Sequence, residues 1–88
     1  MLTPDFTSRF KKDYKLAIGR NYDISLLDGI IRDLIDEVPL AERYKDHLLH
    51  GDYAGCRECH IRPDWLLIYQ VENGIIVFER TGTHSDLF

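Results

Sequence analysis

Five side chains in the second half of the chain are of types that move protons or hold phosphate: His47, His60, Asp64, Arg80 and His84. His60 closes the run Cys56-Arg57-Glu58-Cys59-His60, which spells Cys-x-x-Cys-His. Those letters are the attachment signature of a c-type haem. They can equally be a β-strand that carries one histidine into a turn at Arg62-Pro63-Asp64. Haem needs an axial partner and a large apolar cleft. The only methionine is Met1, so a Met/His pair is ruled out, and a bis-histidine pair is the one haem option left. A chain of 88 residues with a strong sheet signal leaves little room to enclose the macrocycle. Zinc fares no better. In a strand Cys56 and Cys59 are three apart and point to opposite faces, and there is no second cysteine pair. The expectation is therefore no metal and no cofactor, with Cys59 a small core residue.

The strand reading makes a different site. Alternation puts Cys56, Glu58 and His60 on one face, and Cys59 and Ile61 on the other. Asp64 follows just around the turn and can orient His60. Asn73-Gly74 is a type I′ hairpin signal. It pairs Trp65–Glu72 antiparallel with Ile75–Thr81, and counting back from it sets Arg80 opposite Leu67. His84 follows four residues later. His60, Asp64, Arg80 and His84 thus converge at one end of the sheet, and the loop before the strand can bring in His47. His50 reads as a surface residue. Trp65 either anchors the start of the central strand or offers a ring face to a base. Phe88 either frays, as chain ends do, or helps to hold a substrate.

The elements that must position these groups follow from periodicity. Phe6, Phe10, Tyr14 and Ile18, with Ala17, form one apolar stripe on a helix from about Thr7 to Arg20, capped by Thr7 or Asp5. Asn21-Tyr22-Asp23 is a turn. A second helix runs from about Ile24 to Glu37, with Leu27, Ile30, Ile31, Leu34, Ile35 and Val38 on its buried side; Pro39 stops it. Met1 to Asp5 is short and extended, with Pro4 suited to an edge strand. Residues 39–55 look irregular. The last third is a meander of three strands: Cys56–Ile61, Trp65–Glu72 and Ile75–Thr81. After Gly82 the tail leaves the sheet. The fold class is α+β: a short strand, a two-helix hairpin, then an antiparallel three-stranded meander packed on the helices.

Length predicts a single domain over residues 1–88. With 44% hydrophobic and 30% charged residues the chain is an ordinary globular protein, not a disordered one. No segment approaches the ~20 apolar residues that span a bilayer, and the N-terminus lacks a secretory h-region. A cytoplasmic location and no membrane partner are expected. The formal net charge is -4, yet the first helix carries Lys11, Lys12 and Lys15 beside Arg9 and Arg20. The acidic residues gather on the second helix. The lysines are either a solvated face or a surface that meets phosphate.

Three blocks, "YKDHLLHG", "CHIRPDWLLIY" and "FERTGTHSDLF", resemble the YafQ-type toxins of the RelE/ParE superfamily of type II toxin–antitoxin systems. The resemblance covers nearly the whole chain. It implies a RelE-like fold and an endoribonuclease that enters the ribosomal A site and cuts the mRNA codon there. It implies a catalytic set of His47, His60, Asp64, Arg80 and His84. Trp65 and Phe88 are implied near the mRNA, with the lysines of the first helix as further RNA contacts. It also implies a cognate antitoxin that wraps the toxin and alone contacts operator DNA. RNA supplies its own nucleophile, the 2′-OH, so a metal-independent site needs a base, an acid and a cation. His84 is the expected acid. His47 or His60, helped by Asp64, is the expected base, and Arg80 the charge stabiliser. Two other readings share the fold: a non-enzymatic inhibitor of DNA gyrase like the ParE branch, and a catalytically weakened antitoxin-binding domain. The full acid–base set favours the nuclease. The acidic net charge departs from the basic character usual among such toxins.

Overall fold

The computed structural model describes residues 1–88. A five-stranded mixed sheet carries two helices on one face. The elements are β1 (Thr3–Phe6), α1 (Ser8–Gly19), α2 (Ile24–Ile35), β2 (His47–Leu48), β3 (Arg57–Arg62), β4 (Trp65–Glu72), β5 (Ile75–Gly82) and α3 (His84–Leu87). The strand order is β1-β5-β4-β3-β2. β1 lies parallel to β5 at one edge, and the other pairs are antiparallel.

Both long helices begin where a side chain can satisfy an orphan N–H. Thr7 accepts from the Phe10 amide, and Asp23 from the Ser25 amide. Their apolar stripes meet the sheet through Phe10, Ala17, Leu27, Ile30, Ile31 and Leu34. The strands answer with Cys59, Ile61, Trp65, Leu67, Tyr69, Ile76 and Phe78. Each large side chain buried here stabilises the fold by roughly 1.5–3 kcal/mol. Two residues assigned to these stripes are exposed: Ile18 follows the last buried turn of α1, and Val38 lies beyond the end of α2.

The expected meander is present, and two details change the site. The irregular segment supplies β2, a two-residue strand pairing His47 with Glu58. β5 carries a bulge at Glu79, so Tyr69 faces Phe78 but Ile68 faces Arg80. Arg80 was expected opposite Leu67, whose own side chain lies in the core under the helices. The extra residue flips Arg80 to the other face, since a one-residue shift exchanges the sides of a strand. At the hairpin itself Asn73 and Gly74 both take positive φ, 52° and 77°, as a type I′ turn requires.

Candidate active site

The face of the sheet away from α1 and α2 has a small apolar patch of Cys56, Leu66, Ile68 and Leu87. Polar residues surround it. Glu58 and His60 project from β3, opposite Ile68 and Leu66 respectively, and Arg80 lies across Ile68 from Glu58. At ~4.8 Å per strand, Arg80 and Glu58 sit about 10 Å apart along one row. α3 closes over the end of this face and brings His84.

Three imidazoles form a line. The His47 and His60 ring centres are 6.2 Å apart, and those of His60 and His84 are 5.9 Å apart. Each ring has its own anchor. His47 Nδ1 lies 2.6 Å from the Lys45 carbonyl oxygen. A carbonyl only accepts, so Nδ1 carries the proton, and in the neutral ring Nε2 keeps its lone pair. Lys45 aims that carbonyl from a left-handed backbone conformation, φ 50° and ψ 42°, strain of a kind that collects at functional sites. The next residue, Asp46, accepts from the Tyr69 hydroxyl at 2.8 Å and from Arg57 Nε at 3.2 Å. That ties the His47 segment to the sheet. Burial and the Asp46 carboxylate together push the Tyr69 hydroxyl well above its ordinary range.

His60 Nε2 is 3.2 Å from Glu58 Oε1, and His47 Nε2 is 3.6 Å from the same oxygen. Glu58 is only 4% exposed. Its carboxylate therefore pairs with His60 and lies beside His47, close enough to accept from that ring once it has taken a proton.

His84 Nδ1 lies 2.6 Å from Asp64 Oδ1, and the His84 backbone N–H donates to the same oxygen at 2.9 Å. Those contacts, the backbone one first, hold the Asp64 carboxyl below its usual range. Asp64 therefore stays ionised beside a ring whose Nε2 is free to meet a substrate. Asp64 was expected to serve His60. The structure gives it to His84, and Glu58 takes the place beside His60. Alternation had put Glu58 on the right face. What it lacked was a reason to treat a strand glutamate as more than solvated surface.

Arg80 is held by Asp13 of α1, with Nε 2.6 Å from Oδ2 and Nη2 3.1 Å from Oδ1. This pair, led by the Asp13 hydrogen bonds, raises the guanidinium pKa further. Arg80 thus stays charged and leaves Nη1 outside the pair.

The flanking aromatics differ. Trp65 is 3% exposed, donates its indole N–H to Thr81 Oγ1 at 3.0 Å and packs on Tyr22. Such burial leaves the ring little face for a base and favours the anchor reading. Phe88 is 65% exposed and meets Tyr53 edge-on at 5.6 Å, which leaves a face open at the rim of the site. Lys11, Lys12 and Lys15 do not join the line. At ~100° per residue Lys11 and Lys15 point roughly opposite to Asp13, which faces Arg80. They rim a groove between α1 and α2 lined by Phe6, Phe10 and Tyr14. A different set of cations borders His60: Arg43, Lys45 and Arg62 line one cleft with it, and no carboxylate lines that cleft. His50 is exposed, as expected.

Ligand atoms of His47, Glu58 and His60 all lie within 4.8 Å of one another. Two imidazoles and a carboxylate suit zinc or copper, so the residues present fit such an ion. The cysteine pair plays no part: Cys56 and Cys59 lie in the two separate apolar clusters.

The fold is a small α+β domain of the RelE-like type. The structure of YafQ from Escherichia coli strain BL21(DE3) superposes with a TM-score of 0.94 at 39% identity, covering 100% of this chain and 99% of that one. A chain in the E. coli DinJ–YafQ toxin–antitoxin complex gives a TM-score of 0.92 at 41% identity, over 99% and 97% of the two chains. A metal-bound toxin from Helicobacter pylori gives 0.92 at 41% identity over all of both chains. In sequence, the mRNA interferase toxin YafQ of E. coli K12 is 42% identical over 85 residues, 96% of this chain and 92% of that protein. Residues 2–88 match the family described as the bacterial toxin of type II toxin-antitoxin system, YafQ. The chain belongs to the YafQ toxin family.

Proposed function

We propose that this protein is an mRNA interferase that cuts the A-site codon on the ribosome and is neutralised by a cognate antitoxin. The observation that carries the reading is the line of three imidazoles with distinct anchors beside a fixed guanidinium. Kinship with the E. coli K12 mRNA interferase and with the toxin of the DinJ–YafQ complex supports it.

The roles follow from which nitrogen is free. His47 Nε2 removes the proton of the 2′-OH. The 2′-oxygen forms its bond to phosphorus, and the P–O5′ bond breaks with its electron pair on O5′. His84 Nε2 delivers the proton that O5′ needs. The products are a 2′,3′-cyclic phosphate and a 5′-OH. His60, with Nε2–H on Glu58, contributes an Nδ1–H donor beside the phosphate when its ring is protonated, and Arg80 stabilises the charge that develops there. The message enters along the cleft of Arg43, Lys45 and Arg62, where three cations without a carboxylate can hold backbone phosphates. Lys11, Lys12 and Lys15, on another surface, are left for ribosomal RNA. Contact with operator DNA runs through the antitoxin alone.

A base and an acid suffice for this transfer, so the reaction is metal-independent. Zinc or copper held by His47, Glu58 and His60 would act as a Lewis acid there, but it would also occupy the base. Added copper is therefore an inhibitor, and EDTA leaves the rate unchanged.

The test is cleavage of a programmed message, with and without ribosomes, by wild type and His84→Gln. The expectation is discrete cuts within the A-site codon that require ribosomes, slowed ~10²–10⁴-fold in the variant. An unchanged rate in the variant removes His84 from the mechanism. Intact message with gyrase arrested on DNA turns the assignment to the ParE-like alternative.

A further inference from the structure

Helix α1 touches the catalytic side twice. Asp13 lies within α1 and Arg20, seven residues on, is its C-cap, which sets the two about two turns apart on the same side. Asp13 faces β5 beyond Phe78, where β1 no longer pairs with it, and Arg20 faces α3. Asp13 takes the Arg80 guanidinium at two points and also accepts the Thr81 backbone N–H at 3.2 Å. It thereby fills an edge donor that the sheet leaves open, while fixing the side chain next to it.

Arg20 makes the mirror-image pair. Its Nη1 is 2.6 Å from Asp86 Oδ2 and its Nη2 is 3.1 Å from Oδ1. Asp86 is the third residue of α3 and half of its capping box. Its Oδ2 accepts the Thr83 N–H at 2.9 Å, and Thr83 Oγ1 accepts the Asp86 N–H at 3.1 Å. The first residue inside that cap is His84. Gly82 permits the approach, since a Cβ there would stand 2.9 Å from Asp86 Oδ2. A four-residue helix cannot hold its own shape in water, so the direction in which His84 points depends on what clamps the cap.

We propose that α1 is the alignment element of the site, with Asp13 and Arg20 as positioning residues. Asp13 sets Arg80 directly; Arg20 sets His84 through Asp86. Neither touches the substrate. The helix offers an acid to the catalytic cation and a cation to the acid of the catalytic turn, so both contacts register the same helix against the end of the sheet. This rests on the nuclease reading above for its catalytic consequence, but the clamp itself is a property of the free protein.

The experiment compares Asp13→Asn, Arg20→Ala, Asp86→Asn and the Arg20→Ala/Asp86→Asn double variant in the ribosome assay. Misplacement by about an ångström can slow a reaction ~10²-fold, so each single variant should lose at least tenfold in kcat while KM stays within about twofold. If Arg20 acts through Asp86, the double variant is no slower than the worse single one. Multiplied losses, or kcat values that fall only with the folded fraction, overturn the proposal. A second readout needs no cleavage. In the free toxin, Arg20→Ala should speed hydrogen exchange at the Leu87 and Phe88 amides at least tenfold, and Asp13→Asn should broaden or erase the Arg80 Nε–H NMR signal. Unchanged exchange and an unchanged signal overturn the proposal even if the wild type cuts RNA. Loss of both with an inactive wild type would support the clamp and sink the nuclease assignment instead.

Discussion

The two ends of the imidazole line are built by opposite means. His84 sits on a single helical turn whose cap is gripped by an ion pair from α1, with Asp64 on its Nδ1. His47 sits on a two-residue strand held by a carbonyl from a left-handed residue and by a carboxylate tied to the sheet. The His84 end depends on an ion pair across α1 and α3, whereas the His47 end depends on a left-handed carbonyl and on Asp46, which both Tyr69 and Arg57 hold. That difference matches the division of labour proposed for them. An acid profits from a nearby carboxylate when it holds its extra proton, whereas a base needs a defined tautomer with a free lone pair.

Changes at each end should therefore fail differently. The largest effect is expected for Glu58→Gln, because its carboxylate lies between His47 and His60. Losing the carboxylate should reduce single-turnover cleavage ~10²-fold, and a rate within twofold of wild type would show that the central carboxylate is idle. Next comes Asp46→Ala, which leaves the mostly buried Tyr69 hydroxyl without its acceptor. Leaving such a group unsatisfied costs about 1–3 kcal/mol, measurable by urea unfolding, and kcat should fall further than the folded fraction does.

The His84 end should answer to acid. Asp64 and Asp86 both titrate below their ordinary value, each because its partners prefer the carboxylate. A carboxyl lowered on folding stabilises the native state above its unfolded pKa of 3.8, and that contribution fades as pH falls through the folded value. Stability measured from pH 6 down to pH 2 should drop below about pH 4, and Asp86→Asn should flatten the drop. An identical slope in the variant would mean the clamp carries no pH-linked stability. The smallest effect belongs to Trp65→Phe. It removes one buried hydrogen bond, worth about 1 kcal/mol, and part of a buried ring, so stability falls somewhat, but KM should stay within twofold. A large rise in KM would restore the stacking role that burial denies to Trp65. Cys59, whose thiol is pushed up to about 12 by burial, should resist alkylation at pH 8 until the protein unfolds.

Most of the frame was legible from local rules. The Asn73-Gly74 turn, the two capped helices and the alternation in β3 each depend on a few neighbouring residues, and all are present as read. The reading failed where a distant or irregular feature decided the outcome. No residue type announces the bulge at Glu79, yet it moves Arg80 to the other face of the sheet. β2 is too short to show a period. Asp13 reads as one acid among lysines until α1 is laid along β5, and the choice of Asp64 for His84 over His60 depends on how α3 folds back. The residue types of the candidate site were visible. Their pairing was not, because pairing belongs to tertiary contacts of large sequence separation.

The central claim is that this line of imidazoles turns the RNA's own 2′-oxygen on its phosphate. It is tested most directly with a ribosome-bound message carrying a single 2′-deoxy nucleotide at the attacked position of the A-site codon. The account predicts that this message survives, while the all-ribose message is cut and carries a 2′,3′-cyclic phosphate at the new end. Cleavage of the deoxy message at the same position and a similar rate would contradict it.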